Sequence, residues 1–295
     1  MKLKGLFAVL MIIVPMLTVA QQPHKRMKKK DSKGAGTLFG YWGYNRSAYT
    51  KSNIRFVGPN YDFTLAGAVA KDRRETPSTA TYFQFQNLTV PQFNARIGYY
   101  FTEHWAFSAG YDHMKYIYDD NNSVHLSGFV GAGVDPVTSW EGTYSGEPVT
   151  TQNDYFHYEN SDGLNYLRLE LTRTDNLVKL GGRDQFVISS NLGVATGALL
   201  SYNDFKFGGQ HDMRTISLSG YGLSVHGGLR LEFFRHVFIQ SNLAAGFHHQ
   251  VRVKTRPFDA SSFARHKYGF AETDLVLGFL VYLRPKNGCD SCPVW

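Results

Sequence analysis

From residue 34 onward, apolar and polar positions alternate with period two, the pattern of strands with one apolar and one polar face. Between 237 and 251, Val237, Ile239, Leu243, Ala245, Phe247 and Val251 share a face, with Phe238, Gln240, Asn242, Gly246, His248 and Gln250 opposite. Between 267 and 283, Ala271, Thr273, Leu275, Leu277, Phe279, Val281 and Leu283 oppose Glu272 and Asp274. In 218–234, Tyr221, Leu223, Val225, Leu229, Leu231 and Phe233 oppose Ser224, His226, Arg230 and Glu232. Leu167, Leu169 and Leu171 oppose Arg168 and Glu170; Phe93, Ala95, Ile97, Tyr99 and Phe101 oppose Gln92, Asn94 and Arg96. Weaker alternation marks 37–48, 105–118 and 185–200.

These segments run to about 11–17 residues, against about 5–6 for soluble strands. A tilted strand needs about 9–11 residues to cross hydrocarbon. The connections alternate too. Residues 101–105 and 234–237 are tight turns, whereas 119–163, 201–217 and 253–265 are long, polar and rich in Gly, Asn and Asp. Short turns on the periplasmic side and long loops outside define an outer-membrane barrel. The expected fold is therefore all-β: a transmembrane antiparallel up-and-down β-barrel over 37–284, with eight strands and both termini in the periplasm. Segment 50–88, with Ile54-Arg55-Phe56 and Tyr61 to Leu65, leaves two possibilities. It adds an outer hairpin, or two more wall strands to make ten.

The N-terminus changes the compartment. Lys2 and Lys4, the apolar run Leu6–Leu17 and the small residues Thr18 and Ala20 have the form of a cleaved signal peptide over 1–20. No other stretch reaches the apolar length of a membrane helix. The formal charge of +7 resides almost wholly in the signal and in a basic arm at 21–36, which holds Lys25, Arg26, Lys28, Lys29, Lys30 and Lys33. From Gly34 onward the two signs balance, so nucleic acid is excluded as a partner. The arm is either a solvated tail or an attachment to anionic lipid headgroups.

Candidate chemistry is sparse. Arg96, Arg168, Glu170, His226, Arg230, Glu232, Glu272 and Asp274 all fall on inward faces. Side chains fill the interior of an eight-stranded barrel, so buried charges there must pair. A charge-plugged lumen is expected, with a narrow porin-like channel as the alternative. Cys289 and Cys292, in a periplasmic tail over 285–295, suit a local disulfide in an oxidising compartment. His248 and His249 are adjacent on a strand and point to opposite faces, so no metal site is expected there. Loop 119–163 carries Trp140, Tyr144, Tyr155, Phe156 and Tyr158 among polar residues, either as a binding surface or as packing against the rim. No cofactor is implied. The expected partners are outer-membrane lipid, the barrel-insertion machinery and an extracellular sugar or protein, with the chain a monomer.

Two resemblances bear on this. Residues 35–284 resemble the small single-chain outer-membrane barrel proteins of Gram-negative bacteria. They are similar to a branch that carries Tyr44-Asn-Arg-Ser47, Tyr61-Asp-Phe-Thr-Leu65, Lys71-Asp-Arg73 and Asp112-His-Met-Lys-Tyr116, and to which no activity attaches. Such proteins end on the aromatic residue of their last strand; here a tail follows Tyr282-Leu283. Separately, His125-Leu-Ser127 with Glu141 faintly resembles outer-membrane lipid A deacylases, which use an outward His-x-Ser and a later Glu. Those enzymes follow the Ser with Asn, where Gly128 stands here. That resemblance implies a lipid-modifying enzyme as a third possibility.

Overall fold

The computed structural model describes residues 34–73, 91–181 and 185–283. Segment 1–20, nearly all of the basic arm, and Cys289 and Cys292 lie outside the described residues.

Eight strands form the wall: β1 (Thr37–Tyr49), β5 (Phe93–Tyr100), β6 (Trp105–Tyr118), β9 (His157–Leu180), β10 (Phe186–Phe207), β11 (Gln210–Phe233), β12 (Val237–Lys254) and β13 (Phe263–Tyr282). Each pairs antiparallel with the next, and β1 closes the ring by pairing along its whole length with β13, from Thr37↔Tyr282 to Tyr49↔Phe270. All eight expected strands are present, several longer at their outer ends. Close pairing demands small residues at some positions. A Cβ on Gly43 would sit 2.1 Å from the Leu275 carbonyl oxygen. The β10–β11 hairpin turns on Gly208 and Gly209, both left-handed at φ 64 and 74, as a two-residue hairpin requires.

The wall is apolar outside and polar inside. Ile97, Leu169, Leu192, Val225, Leu243 and Leu275 are exposed, while Asn94, Ser108, Asn191, Gln240 and Asn242 between them are buried. An exposed apolar band of this extent is stable against acyl chains, not against water. Among the described residues no helix is long and apolar enough to cross a membrane; the strands make the crossing.

Just above the belt the pairing slips in four of the wall ladders, β6–β9, β9–β10, β10–β11 and β12–β13: between Met114 and Tyr116, Ser201 and Asp204, Leu199 and Leu200, and Gln250 and Val253. Bulges strengthen twist and bend strands, and here they divide the wall from an outer domain. Segment 50–88 contributes β2 (Ser52–Gly58), β3 (Tyr61–Ala68) and the short β4 (Ala70–Lys71) to that domain. The ring therefore keeps eight strands, and the described part of the segment is an outer hairpin. Segment 119–163, expected as loop, contains β7 (Ser123–Val130) and β8 (Gly142–Thr150). Residues 201–217, also expected as loop, are largely the outer ends of β10 and β11. Polar, Gly-rich composition marked these stretches as lying outside lipid, but it did not prevent pairing. The sheet branches outward from β13 in the order β13-β2-β3-β7-β8, forming an outer sheet continuous with the wall. It packs on the outer ends of the wall strands through an aromatic core: the Phe56 ring lies 5.3 Å from Phe63 and Phe205, and 5.4 Å from Phe156 and Tyr158.

Candidate functional site

The inward faces of the wall bring together all eight of the lumen residues expected from the sequence, each of them buried. They also bring in Asp112, which alternation in β6 had not assigned. Its parity was readable. Trp105, Phe107 and Tyr111 face outward, so Asp112 on the next position must face in.

Asp112 is the hub. Arg96 Nη2 and Arg168 Nη1 donate to its Oδ2 at 2.9 and 3.0 Å. Both guanidiniums also reach Glu170, with Nε to Oε1 distances of 3.1 and 2.7 Å, and Ser108 Oγ donates to Glu170 Oε2 at 3.0 Å. Two cations and two anions thus alternate across the middle of the lumen, in the arrangement that offsets desolvation best. Arg168 Nη2 also donates to His226 Nδ1 at 3.2 Å. That nitrogen therefore carries no proton, and the imidazole is a neutral acceptor.

Nearer the periplasm, Arg230 donates to Gln240 Oε1 at 2.7 Å and Tyr100 Oη at 2.9 Å, and lies 3.9 Å from Glu232. Its guanidinium sits 4.1 Å from the centre of the Phe238 ring and 5.5 Å from that of Phe39. Phe39, Tyr100, Ala106, Phe238 and Leu280 make a small apolar cluster there. Gln240 Nε2 donates onward to Asn242 Oδ1 at 2.9 Å, and Asn242 Nδ2 to Asp274 at 2.9 and 3.1 Å. Asn94 Nδ2 then bridges Asp274 and Glu272 at 3.1 and 3.0 Å. Side chains link the lumen from end to end.

Three of the four segments that carry the resemblance meet at the outer mouth. Asp72 accepts from the Ser47 amide at 3.3 Å and stands 3.7 Å from Arg46. Asn45 bonds Asn94 and the His113 carbonyl. Tyr116 and Ser52 hydroxyls are 3.1 Å apart.

Of the five aromatic loop candidates, Trp140, Phe156 and Tyr158 are buried in the outer core. They present no ring to a ligand, because Trp140 packs on Phe63 and Phe207, Phe156 on Phe205 and Tyr158 on Phe56. Tyr144 and Tyr155 are partly exposed and pack on its edge. His125, Ser127 and Glu141 form no triad. The His125 ring bonds the Gly146 carbonyl at 3.0 Å, and Glu141 caps the Gly133 amide at 2.6 Å. Both residues of the His-x-Ser lie on β7 of the outer sheet, away from the wall. Among the described residues no three His, Cys, Asp or Glu side chains are arranged to hold a metal ion.

The outer domain carries one further charged centre, beyond the belt. The His157 ring lies between Asp120 at 3.2 Å and Glu159 at 3.0 Å, one nitrogen to each. Burial disfavours the charged ring, but the two carboxylates outweigh it and push its pKa up to about 9.

No protein-family profile matches the sequence, and no curated protein sequence matches it. Solved structures of several outer-membrane proteins overlay on it. OprG of Pseudomonas aeruginosa is 10% identical, with 84% of this chain and 97% of that one covered and a TM-score of 0.36. Ail of Yersinia pestis, in complex with the heparin analogue sucrose octasulfate, is 10% identical over 84% and 99% at 0.32. Neisserial surface protein A is 9% identical over 84% and 98% at 0.31. The fold rests on the closure and the belt rather than on these overlays: the chain is a small β-barrel of the outer-membrane type, and the outer membrane is where such a belt is at home.

Proposed function

We propose that the protein is a barrel closed to ions, which acts by contact through the domain it raises outside the membrane. The observation that carries this reading is the Arg96–Asp112–Arg168–Glu170 network across the middle of the lumen, with apolar clusters above and below it. An ion would have to break paired, desolvated charges to pass. The contact reading is supported by the investment in an outer core, which fixes the β7–β8 hairpin outermost in its sheet with His125, Phe129 and Glu147 exposed. An extracellular sugar or protein is the partner such a rim suits; lipid surrounds the belt, and the insertion machinery acts during assembly.

Single-channel recording of the purified protein in planar bilayers tests the closure. No unitary current is expected. Steady conductance that changes when Arg168 is replaced would establish the narrow channel instead. Lipid A mass spectra from cells carrying Ser127→Ala are expected to match those of wild type.

A further inference from the structure

Among the described residues, the lumen between the ends of the belt carries three guanidiniums, from Arg96, Arg168 and Arg230, and five carboxylates, from Asp112, Glu170, Glu232, Glu272 and Asp274. His226 accepts a hydrogen bond from Arg168 and adds no positive charge. The guanidiniums are taken up by Asp112, Glu170 and Glu232. Among the described residues, no cation lies within ion-pair distance of Glu272 or Asp274.

The two acids are not in the same position. Asp274 is wrapped in donors: the Asn242 amide at 3.0 Å, Asn242 Nδ2 at 2.9 and 3.1 Å, and Asn94 Nδ2 at 3.1 Å. A carboxylate so held keeps its charge at low cost. Glu272 receives a single donor, Asn94 Nδ2, on Oε1; its Oε2 is buried without a partner. Directly across the β1–β13 ladder, Ser47 faces Glu272 and Asn45 faces Asp274. All four side chains are buried on the inward face, where cross-strand neighbours come within contact. Asn45 Oδ1 is also buried without a partner, and Ser47 Oγ, buried beside the Tyr49 hydroxyl, keeps a lone pair to offer. Turning the Asn45 amide over does not help. Its Nδ2 now serves two acceptors, Asn94 Oδ1 and the His113 carbonyl, and reversal would set oxygen against both.

One face therefore presents a carboxylate oxygen, an amide oxygen and a hydroxyl oxygen, all desolvated. Unsatisfied buried groups of this kind are costly, and a buried carboxylate without a counter-charge more so. We infer that the folded barrel holds one dehydrated monovalent cation of the sodium type at Glu272, with Asn45 and Ser47 as its neutral oxygen ligands. One positive charge neutralises Glu272, while Asp274 remains an anion satisfied by amides. Oxygen-only ligands suit a hard cation. The site stands whether or not the lumen conducts.

The test is thermal unfolding of the full chain in zwitterionic micelles, with sodium chloride exchanged for choline chloride at constant ionic strength. Choline is too large for the site and equal in screening. Wild type is expected to unfold at a temperature that rises with the logarithm of the sodium concentration once the site fills, and Glu272→Gln is expected to lose that rise. Ser47→Ala keeps the carboxylate and removes one ligand, so the sodium concentration at which its unfolding temperature begins to rise should move up by about tenfold, the factor for about 1.4 kcal/mol. Sodium NMR line widths give a direct reading if Glu272→Gln fails to fold: wild type should broaden the signal more than Ser47→Ala. Identical unfolding in sodium and choline would overturn the inference and leave a proton as the neutralising charge. A full sodium increment in Glu272→Gln would equally overturn it.

Discussion

The lumen and the outer core are built from the same strands and filled in opposite ways. Along the inward face of β10, Ser189 and Asn191 lie within the belt, and Phe205 and Phe207 lie above it. All four are buried. On the outward face Leu192 is 67% exposed. Within lipid, the outer surface satisfies the apolar demand, and the interior can be polar provided every charge is paired. Above lipid, water is outside, so the interior must be apolar for the domain to cohere. One strand obeys both rules by changing the content of a single face at its bulges between Leu199 and Asp204.

The largest expected effect comes from breaking a lumen pair. Arg168→Met leaves Asp112 and Glu170 with half their positive charge in a desolvated space, at a cost of about 3–5 kcal/mol. Urea unfolding in micelles should show it. Adding Asp112→Asn should recover part of the loss; if the double variant is worse than the single by the full cost again, the network is not a coupled unit.

Second in size is a cavity in the outer core. Leu65 is wholly buried there, and Leu65→Ala should cost about 2–4 kcal/mol. The comparison predicts where that cost is felt. Limited proteolysis should cut the outer sheet sooner, while the heat-modifiable gel shift of the barrel is retained. If both fail together, wall and outer domain are one cooperative unit.

This division explains what could be read from the sequence. Alternation is strong where two unlike solvents face a strand, so β12 and β13 and the inward Arg230, Glu232, Glu272 and Asp274 were legible. It weakens where both faces are buried, as in β6 from Asp112 to Tyr118, and there Asp112 was missed. Within the outer sheet β2 and β3 were legible as strands, but β7 and β8 were read as loop because they are short, and polar or glycine-rich at their exposed positions; β8 contains Gly142, Gly146 and Pro148. Nothing local says that Trp140, Phe156 and Tyr158 would be buried. That follows only from which strands pair, a long-range property.

The smallest effect should be the pH response of the His157 bridge, which also separates the two regions. The ring is charged in the fold up to about 9 and has an ordinary value of about 6.5. A folded value above the unfolded one means that the contribution is complete below about 6.5, declines as the pH rises, and is gone above about 9. With both carboxylates partly exposed, about 1–2 kcal/mol is expected. His157→Gln should flatten the stability profile between those limits. The effect should appear in proteolysis of the outer domain and leave the barrel's gel shift unchanged, because the bridge holds β9 to the Asp120 turn and touches nothing in the lumen. An equal change in both readouts would show that the outer domain's electrostatics are transmitted through the bulges to the wall.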